Sequence, residues 1–205
     1  MYEAKQFESI NGVERLSERL MKEHYKLYEG YVKKANEITE KLKTVDLTTA
    51  NATYSDLRAL KLGYSFAVDA IKSHELYFTN LSGQGANKGG QPSGWLGGAI
   101  EKQFGSFENW RADMKATGIA ARGWVWLAFD WQNGSLFNYL GDQHDGFPIW
   151  HATPLVALDV YEHAYMMDYG VARADYIEAF FKNLNWDAAE QAVTKLSMDK
   201  WESNS

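Results

Sequence analysis

Two long stretches near the amino terminus repeat apolar residues at steps of three and four, and this repeat constrains the fold more than any other feature. The first stretch covers residues 16–42 and the second covers residues 57–81. Between them lies VDLTTANATYSD, which is rich in turn-forming and helix-capping residues, and Ser82-Gly83 provides a stop after the second stretch. The pattern predicts two helices that pack against each other as an antiparallel hairpin.

The second half of the chain changes to a strand pattern. The segments WVWLAFDW, SLFNYL and PLVALD carry the aromatic and branched residues typical of strands, and Asn133-Gly134 predicts a two-residue hairpin turn between the first two. Ser106 can cap a helix that precedes the strands. The tail RADYIEAFFKNLNWDAAEQAVTKL predicts two further helices, and the last of them begins near Asn185 or Asp187.

These patterns together predict an α+β fold in three regions. Residues 1–82 form the amino-terminal antiparallel helical hairpin, and residues 83–98 form a glycine-rich connecting loop. Residues 99–205 form a carboxy-terminal α/β lobe with a three-stranded antiparallel sheet.

Composition limits the chemistry and the partners. The chain has 205 residues, a net charge of -6 and no cysteine, so any metal site must use histidine, aspartate or glutamate. The negative charge argues against nucleic acid as the main partner. No run approaches the roughly 18 apolar residues of a membrane span, and the amino terminus lacks the pattern of a secretory signal. We therefore expect a soluble cytoplasmic protein that binds neither nucleic acid nor membrane.

The histidines suggest a metal site. At about 100° per residue, His24 and His74 fall among the apolar positions of the two helical stretches. One buried histidine is more often a core residue with satisfied ring nitrogens than a ligand, but two that face each other across a hairpin favour a shared ion. We expect Asp159 at the end of the strand PLVALD and His163 at the start of the following helix, where they would complete a set of three imidazoles and one carboxylate, which suits iron or manganese.

Such a ligand set leaves three functions open. A redox enzyme acting on a small anion would use the net positive charge of the ion and its remaining open positions. A non-haem iron oxygenase would use a face of two histidines and one carboxylate, together with a pocket for an organic co-substrate. A structural or binding protein would use the ion only to clamp the two halves of the chain together.

Four segments resemble the iron/manganese superoxide dismutase family. DVYEHAYMMDYGVARADYIEAFFKNLNWD resembles its carboxy-terminal signature, and ARGWVWL resembles one of its strands. HYKLYEGYVKKAN and HELYFTNL resemble the segments that hold its first and second ligands. The resemblance implies an enzyme that converts two superoxide anions to O2 and H2O2 by redox cycling of one iron or manganese ion per subunit, with iron the preferred metal.

The resemblance also implies roles for individual residues. The implied metal ligands are His24, His74, Asp159 and His163. The implied catalytic residues, which line the site or its access, are Tyr31, Trp124, Trp126, His144, Tyr161 and Glu162. Tyr31 would stand beside the substrate channel, while Glu162 would reach His163 of another subunit in a homodimer or tetramer. Glu162 could instead be a solvated surface charge. Lys26 and Arg173 are candidates for a positive rim that attracts superoxide.

The amino-terminal half departs from the family pattern at the first ligand. The spacing from His24 to Tyr31 is one residue shorter than usual, so an ungapped match would place Glu23 at the ligand position. The helical period favours His24, because Glu23 lies about 100° away and off the apolar face. Leu27-Tyr28 stands where the family often has a pair of histidines.

Two further departures from the family pattern concern Tyr161 and the position of a family glutamine. Tyr161 replaces the usual tryptophan. The glutamine that usually hydrogen bonds the metal-bound solvent is replaced by Ala70 at one of its two locations, and at the other the loop contains Gln143 and His144. If Asp145 matches the aspartate of the family's loop, His144 occupies the glutamine position. We favour this alignment. A slip by one residue would assign the position to Gln143.

Overall fold

The amino-terminal half is the predicted helical hairpin. A computed structural model describes residues 1–83, 89–146 and 148–202. Helix α1 covers Glu18–Leu42 and helix α2 covers Asp56–Thr79. Serine hydroxyls cap both helices: Ser17 accepts a hydrogen bond from the Leu20 N–H at 3.1 Å, and Ser55 accepts one from the Arg58 N–H at 3.2 Å. The helices pack along their apolar faces, so the predicted hairpin is confirmed.

The predicted connecting loop is shorter than expected. Residues 84–88 of that loop lie outside the described residues, but helix α3 covers Gly94–Phe104, so positions 94–98 are helical. The carboxylate of Glu190 accepts hydrogen bonds from the N–H groups of Trp95 and Leu96 at 2.9 and 3.0 Å. Glu190 therefore satisfies the first turn of α3 from far along the chain, which a local sequence pattern could not indicate.

Helix α4, Phe107–Ala120, leads into the sheet. It begins as predicted at Ser106, whose hydroxyl accepts a hydrogen bond from the Asn109 N–H at 3.1 Å. The three strands are β1 Trp124–Asp130, β2 Leu136–Gly141 and β3 Ala152–Asp159. Their order is β2-β1-β3, and β1 pairs antiparallel with both neighbours. The predicted three-stranded antiparallel sheet is confirmed, with β1 the most deeply buried strand.

The predicted two-residue turn between β1 and β2 is wrong. The Asp130 N–H donates to the Ser135 carbonyl at 2.9 Å, so four residues separate the last paired positions. The Trp131 N–H donates to the carbonyl of His151 at 2.8 Å, which draws Trp131 toward β3 and lengthens the connection. Gly134 adopts φ +71°, a conformation that glycine tolerates best, with the Trp201 ring packed against it.

Short helical segments follow the sheet. A 3-10 turn covers Glu162–Ala164, and helix α5 covers Met166–Tyr169. Helices α6 and α7 cover Arg173–Lys182 and Trp186–Lys195, which confirms the two helices predicted for the tail. Asn185 caps α7 by accepting a hydrogen bond from the Ala188 N–H at 3.2 Å.

The end of α2 is fastened to the sheet through Asn80. Its side-chain amide donates to the Leu155 carbonyl at 3.2 Å and accepts from the Ala157 N–H at 2.9 Å. One hydrophobic core includes residues of the hairpin and of the carboxy-terminal lobe, among them Phe78 and Leu158. The division into regions 1–82, 83–98 and 99–205 stays a prediction. Among the described residues, no helix is long and apolar enough to cross a lipid bilayer.

Candidate metal centre

The structure brings the four predicted ligands together. His24 on α1 and His74 on α2 face each other with ring centroids 5.1 Å apart. Asp159 is the last residue of β3, and His163 lies in the 3-10 turn that follows. The Oδ2 atom of Asp159 stands 3.2 Å from His24 Nε2, 3.1 Å from His163 Nε2 and 3.7 Å from His74 Nε2. One donor atom from each of the four residues lies within 4.8 Å of the others.

These separations fit a single transition-metal ion. Two donor atoms that each stand about 2.1 Å from one ion are about 3.0 to 3.6 Å apart at angles of about 90° to 120°, and up to about 4.2 Å apart when they lie opposite each other. Nδ1 of His74 donates to the Ala70 carbonyl at 2.7 Å, which leaves the lone pair of Nε2 directed into the cluster. His74 Nε2 is buried and, like His24 Nδ1, has no hydrogen-bond partner among the described residues. A metal ion would satisfy His74 Nε2, so the donor set fits the ion.

The pKa shifts of the four predicted ligands favour the binding of a cation. Burial lowers the pKa of His24 and holds the pKa of His74 well below its ordinary value. Burial alone would raise the pKa of Asp159, but the imidazoles of His163 and His24 outweigh it and keep that pKa well below its ordinary value. For His163, the charge of Asp159 outweighs burial and raises the pKa. The carboxylate is therefore ionised and two of the imidazoles are neutral, as metal ligands must be.

His144, rather than Gln143, lies inside the protein. Its ring is buried, whereas Gln143 is exposed. The indole N–H of Trp124 donates to His144 Nδ1 at 2.9 Å, so the ring proton resides on Nε2 and is donated to the Tyr31 hydroxyl at 2.9 Å. Burial lowers the pKa of His144 to about 4, so the ring is neutral at pH 7. The function of His144 stays a prediction, but its position agrees with the register that aligns Asp145.

Aromatic rings surround the cluster in layers. The Trp124 ring lies 5.2 Å from that of His74, and Trp126 stacks behind Trp124 at 6.0 Å, so Trp126 belongs to the outer layer. The Tyr161 ring stacks on His163 with centroids 5.2 Å apart and an interplanar angle of 16°. The aromatic lining therefore extends from the ligands toward the sheet.

One aromatic residue of this lining was missed in the sequence. The ring of Phe66 lies 4.7 Å from that of His144 and 6.2 Å from that of Tyr31. Phe66 precedes His74 by eight residues, which places both on adjoining parts of the same helical face. Phe66 is 36% exposed and stands outside the stripe of apolar positions that contains His74, so the apolar pattern of α2 did not single it out.

The charged residues predicted around the site differ in their surroundings. Glu162 is exposed and directly precedes His163, whose side chain is 28% exposed. Lys26 is exposed and pairs with Glu23 at 2.7 Å, which offsets its charge. Arg173 is half-buried and donates to the Ala121 carbonyl at 2.7 Å. The assignment of Lys26 and Arg173 to a positive rim stays a prediction.

Comparisons with known proteins agree with this geometry. Residues 92–192 match the family model for the carboxy-terminal domain of iron/manganese superoxide dismutases. The chain is 38% identical to "Superoxide dismutase [Fe]" of Aquifex aeolicus over 187 residues, which cover 89% of this chain and 86% of that protein.

Of two other relatives, one is named as an iron enzyme and one as a manganese enzyme. The chain is 39% identical to "Superoxide dismutase [Fe]" of Cupriavidus metallidurans over 178 residues, covering 85% of this chain and 86% of the relative. It is 42% identical to "Superoxide dismutase [Mn]" of Haloarcula marismortui over 122 residues, covering 60% and 59%. Similarity over most of the chain, in which the four ligands converge, establishes that this protein belongs to the iron/manganese superoxide dismutase family.

Proposed function

We propose that this protein is a superoxide dismutase that uses one iron or manganese ion per subunit. The observation that carries the proposal is the convergence of three imidazole nitrogens and one carboxylate oxygen within 4.8 Å in a member of this family. His24, His74, Asp159 and His163 would hold the ion, which would supply the one-electron oxidation and reduction that dismutation of two superoxide anions requires. Two protons join the second superoxide, so that 2 O2⁻ and 2 H⁺ become O2 and H2O2.

The chain's own residues supply the proton path. His144 Nε2–H donates to the Tyr31 hydroxyl, so the proton of that hydroxyl is directed elsewhere, toward substrate or water. Burial raises the pKa of Tyr31, which keeps the hydroxyl protonated at neutral pH. Tyr31 is half-buried and therefore connects the interior with solvent. We assign it the role of proton donor beside the substrate channel.

The enclosure of the ligands supports a small substrate. The rings of Trp124 and Tyr161 lie against the predicted ligands and the ring of Phe66 lies against His144, so bulky side chains stand directly beside the cluster. This enclosure favours a dismutase over a non-haem oxygenase.

Metal loading tests the function and the metal together. Purified protein is stripped and reloaded separately with iron, manganese and zinc, and superoxide disproportionation is measured. We propose iron as the native metal and expect the iron form to be the most active, with zinc bound but inactive because zinc does not change valence. Bound metal without disproportionation in all three forms would identify a structural clamp. Oxygen consumption that requires an organic reactant would identify an oxygenase.

We further propose a homodimer through the region of Glu162 and His163. The support is the exposed carboxylate next to the partly exposed ligand, an arrangement suited to a contact with a second copy. Glu162→Gln should weaken self-association at least tenfold in sedimentation experiments, because a charge-assisted hydrogen bond is roughly twice as strong as a neutral one. Glu23→Gln, which changes an exposed glutamate paired with Lys26, is the control. Equal dissociation of both variants would contradict the interface. A cytoplasmic location stays a prediction.

A further inference from the structure

We propose that Tyr161 is a positioning residue whose hydroxyl group holds His144 in place relative to the metal ligands. The inference rests on the proposed function, in which His144 orients the Tyr31 hydroxyl. It concerns a residue that departs from the family, because the tryptophan usual at this position has no hydroxyl group. Tyr161 contacts both the ligand segment and the loop that carries His144.

On the ligand side, Tyr161 contacts two of the four metal ligands. Its backbone N–H donates to Asp159 Oδ1 at 2.9 Å, which is the carboxylate oxygen other than the one that faces the imidazoles. Its ring is stacked on the imidazole of His163. These two contacts fix Tyr161 to the coordination set through groups that phenylalanine also possesses.

On the loop side, the hydroxyl makes the connection. It donates to the carbonyl of Asp142 at 3.2 Å, and Asp142 lies two residues before His144. The Tyr161 ring also lies 5.0 Å from the His144 ring. The side chain of Asp142 accepts a separate hydrogen bond from the Arg122 N–H at 3.1 Å. The tyrosine hydroxyl thus ties the main chain of the His144 loop to the segment that carries Asp159 and His163.

The Tyr161 ring is held by its surroundings, so its hydroxyl group can fix the position of the loop. A Cβ atom at Gly123 would come within 3.0 Å of the Tyr161 ring and 2.8 Å of the Gly141 carbonyl. The ring therefore occupies space that a side chain at Gly123 would fill, and it is confined between that backbone and His163. A confined ring with its hydroxyl on a loop carbonyl limits movement of the loop.

His144 needs such support because its hydrogen bonds are directional. Its two ring nitrogens must meet Trp124 on β1 and Tyr31 on α1 at the same time. The far side of the loop is tied to α2, where the Ser65 hydroxyl donates to Asp145 at 2.7 Å. Without the Tyr161 hydroxyl, the segment before His144 loses its tie to the ligand segment, and both ring hydrogen bonds become weaker.

The test compares Tyr161→Phe and Tyr161→Trp with the wild type, and uses Tyr25→Phe as a matched control. The Tyr25 hydroxyl bonds Lys5 and Gln6 in the amino-terminal segment. The first readout is hydrogen exchange of the Trp124 indole N–H in the zinc-loaded protein, followed by NMR. We expect exchange at least tenfold faster in both Tyr161 variants and unchanged in Tyr25→Phe, because only the Tyr161 variants loosen the acceptor, His144.

The second readout is the reduction potential of the iron-loaded protein, measured with turnover in a double-mutant cycle. Tyr161→Phe should shift the potential and lower turnover about tenfold while metal content stays at the wild-type level, as expected for a change outside the ligands. In a His144→Ala background the same substitution should change neither, because its effect passes through His144.

Three results would overturn the proposal. Wild-type indole exchange and potential in Tyr161→Phe would mean that only the ring matters. Loss of metal from Tyr161→Phe would mean that the hydroxyl supports the ligands instead of His144. A full effect of Tyr161→Phe in the His144→Ala background would mean that it acts by another route. The expected exchange in the zinc-loaded protein, together with iron and manganese forms that both lack turnover, would refute the dismutase function and leave the positioning role intact.

Discussion

At the scale of single residues, the ligand side chains enter the site in different protonation states. The pKa of His163 is raised above its ordinary value of 6.5, whereas the pKa values of His24 and His74 are lowered below it. The metal-free protein therefore holds a proton on His163 more readily than on the two buried imidazoles. Only the neutral ring can bind a metal, so the ion must displace the proton of His163.

Metal binding at pH 6 should accordingly release about one proton rather than three. Calorimetric titration in buffers of different ionisation enthalpy measures this number directly. Because the pKa of His163 is raised, the number of protons released should fall toward zero as the pH rises above that pKa. Metal affinity should weaken as the pH falls, because the proton on His163 competes with the ion. Release of three protons at pH 6 would show that His24 and His74 are charged in the metal-free protein.

The substitution His144→Ala should lower turnover by 10- to 100-fold, on the order expected for a residue beside the ligands, while metal content stays near the wild-type value. The reason is that the ring bonds Trp124 and Tyr31 and makes none of the four predicted metal contacts. Activity and metal analysis on the same sample check the expectation, and His151→Ala, at an exposed histidine, is the control. A parallel loss of metal would make His144 a ligand or a folding residue.

Site residues could be predicted from the sequence where a polar side chain interrupts an apolar pattern. His24 and His74 stand out because imidazoles interrupt apolar helical faces, and the same periodicity rejected Glu23, which is exposed. Partners supplied from elsewhere in the chain were not predictable. The hydrogen bond from the Tyr161 hydroxyl to the Asp142 carbonyl depends on an approach of two segments that no local pattern encodes.

At the scale of elements, helix caps separate into those made locally and those supplied from a distance. Ser106 caps α4 with its own hydroxyl, whereas Ser93, the residue before α3, makes no side-chain cap hydrogen bond within the described part of the chain. The difference explains why sequence located the start of α4 and missed the start of α3. The same reason applies to the turn after β1, which is lengthened by a bond from Trp131 to His151.

Ser106→Ala should therefore destabilise the protein by about 1 kcal/mol, the usual cost of a lost N-cap. Ser93→Ala is the matched control, and we expect a change of less than about 0.5 kcal/mol, as for surface substitutions without a specific contact. Chemical denaturation of both variants in the same metal state measures the difference. Equal losses would contradict the assignment of the first turn of α3 to Glu190.

At the scale of the whole molecule, the predicted metal site joins elements that are distant in sequence. Two ligands come from the hairpin and two from the segment at the end of β3, so binding stabilises only a chain in which both parts have folded together. Sequence patterns predicted both parts and their order. They did not predict that one hydrophobic core would run through them, because side-chain contacts such as those of Phe78 and Leu158 form only in the assembled fold.

Removal of the metal should lower the melting temperature. At a free metal concentration about 1,000 times the dissociation constant, binding contributes about 4 kcal/mol, which corresponds to roughly 8 to 16 °C in a domain of this size. Calorimetry before and after chelation measures the shift, and zinc should restore the melting temperature without restoring activity. An unchanged melting temperature after complete removal would show that the four donors do not share one ion in solution.

The contact between Asn80 and β3 has a consequence for self-aggregation. In the order β2-β1-β3, the third strand is an outer one, and the exposed margin of such a strand is a template onto which another chain can add. The amide of Asn80 occupies a carbonyl and an N–H of that margin, at Leu155 and Ala157. The Asn80 side chain, together with Pro154 in the same strand, therefore hinders the pairing of a neighbouring molecule with this margin.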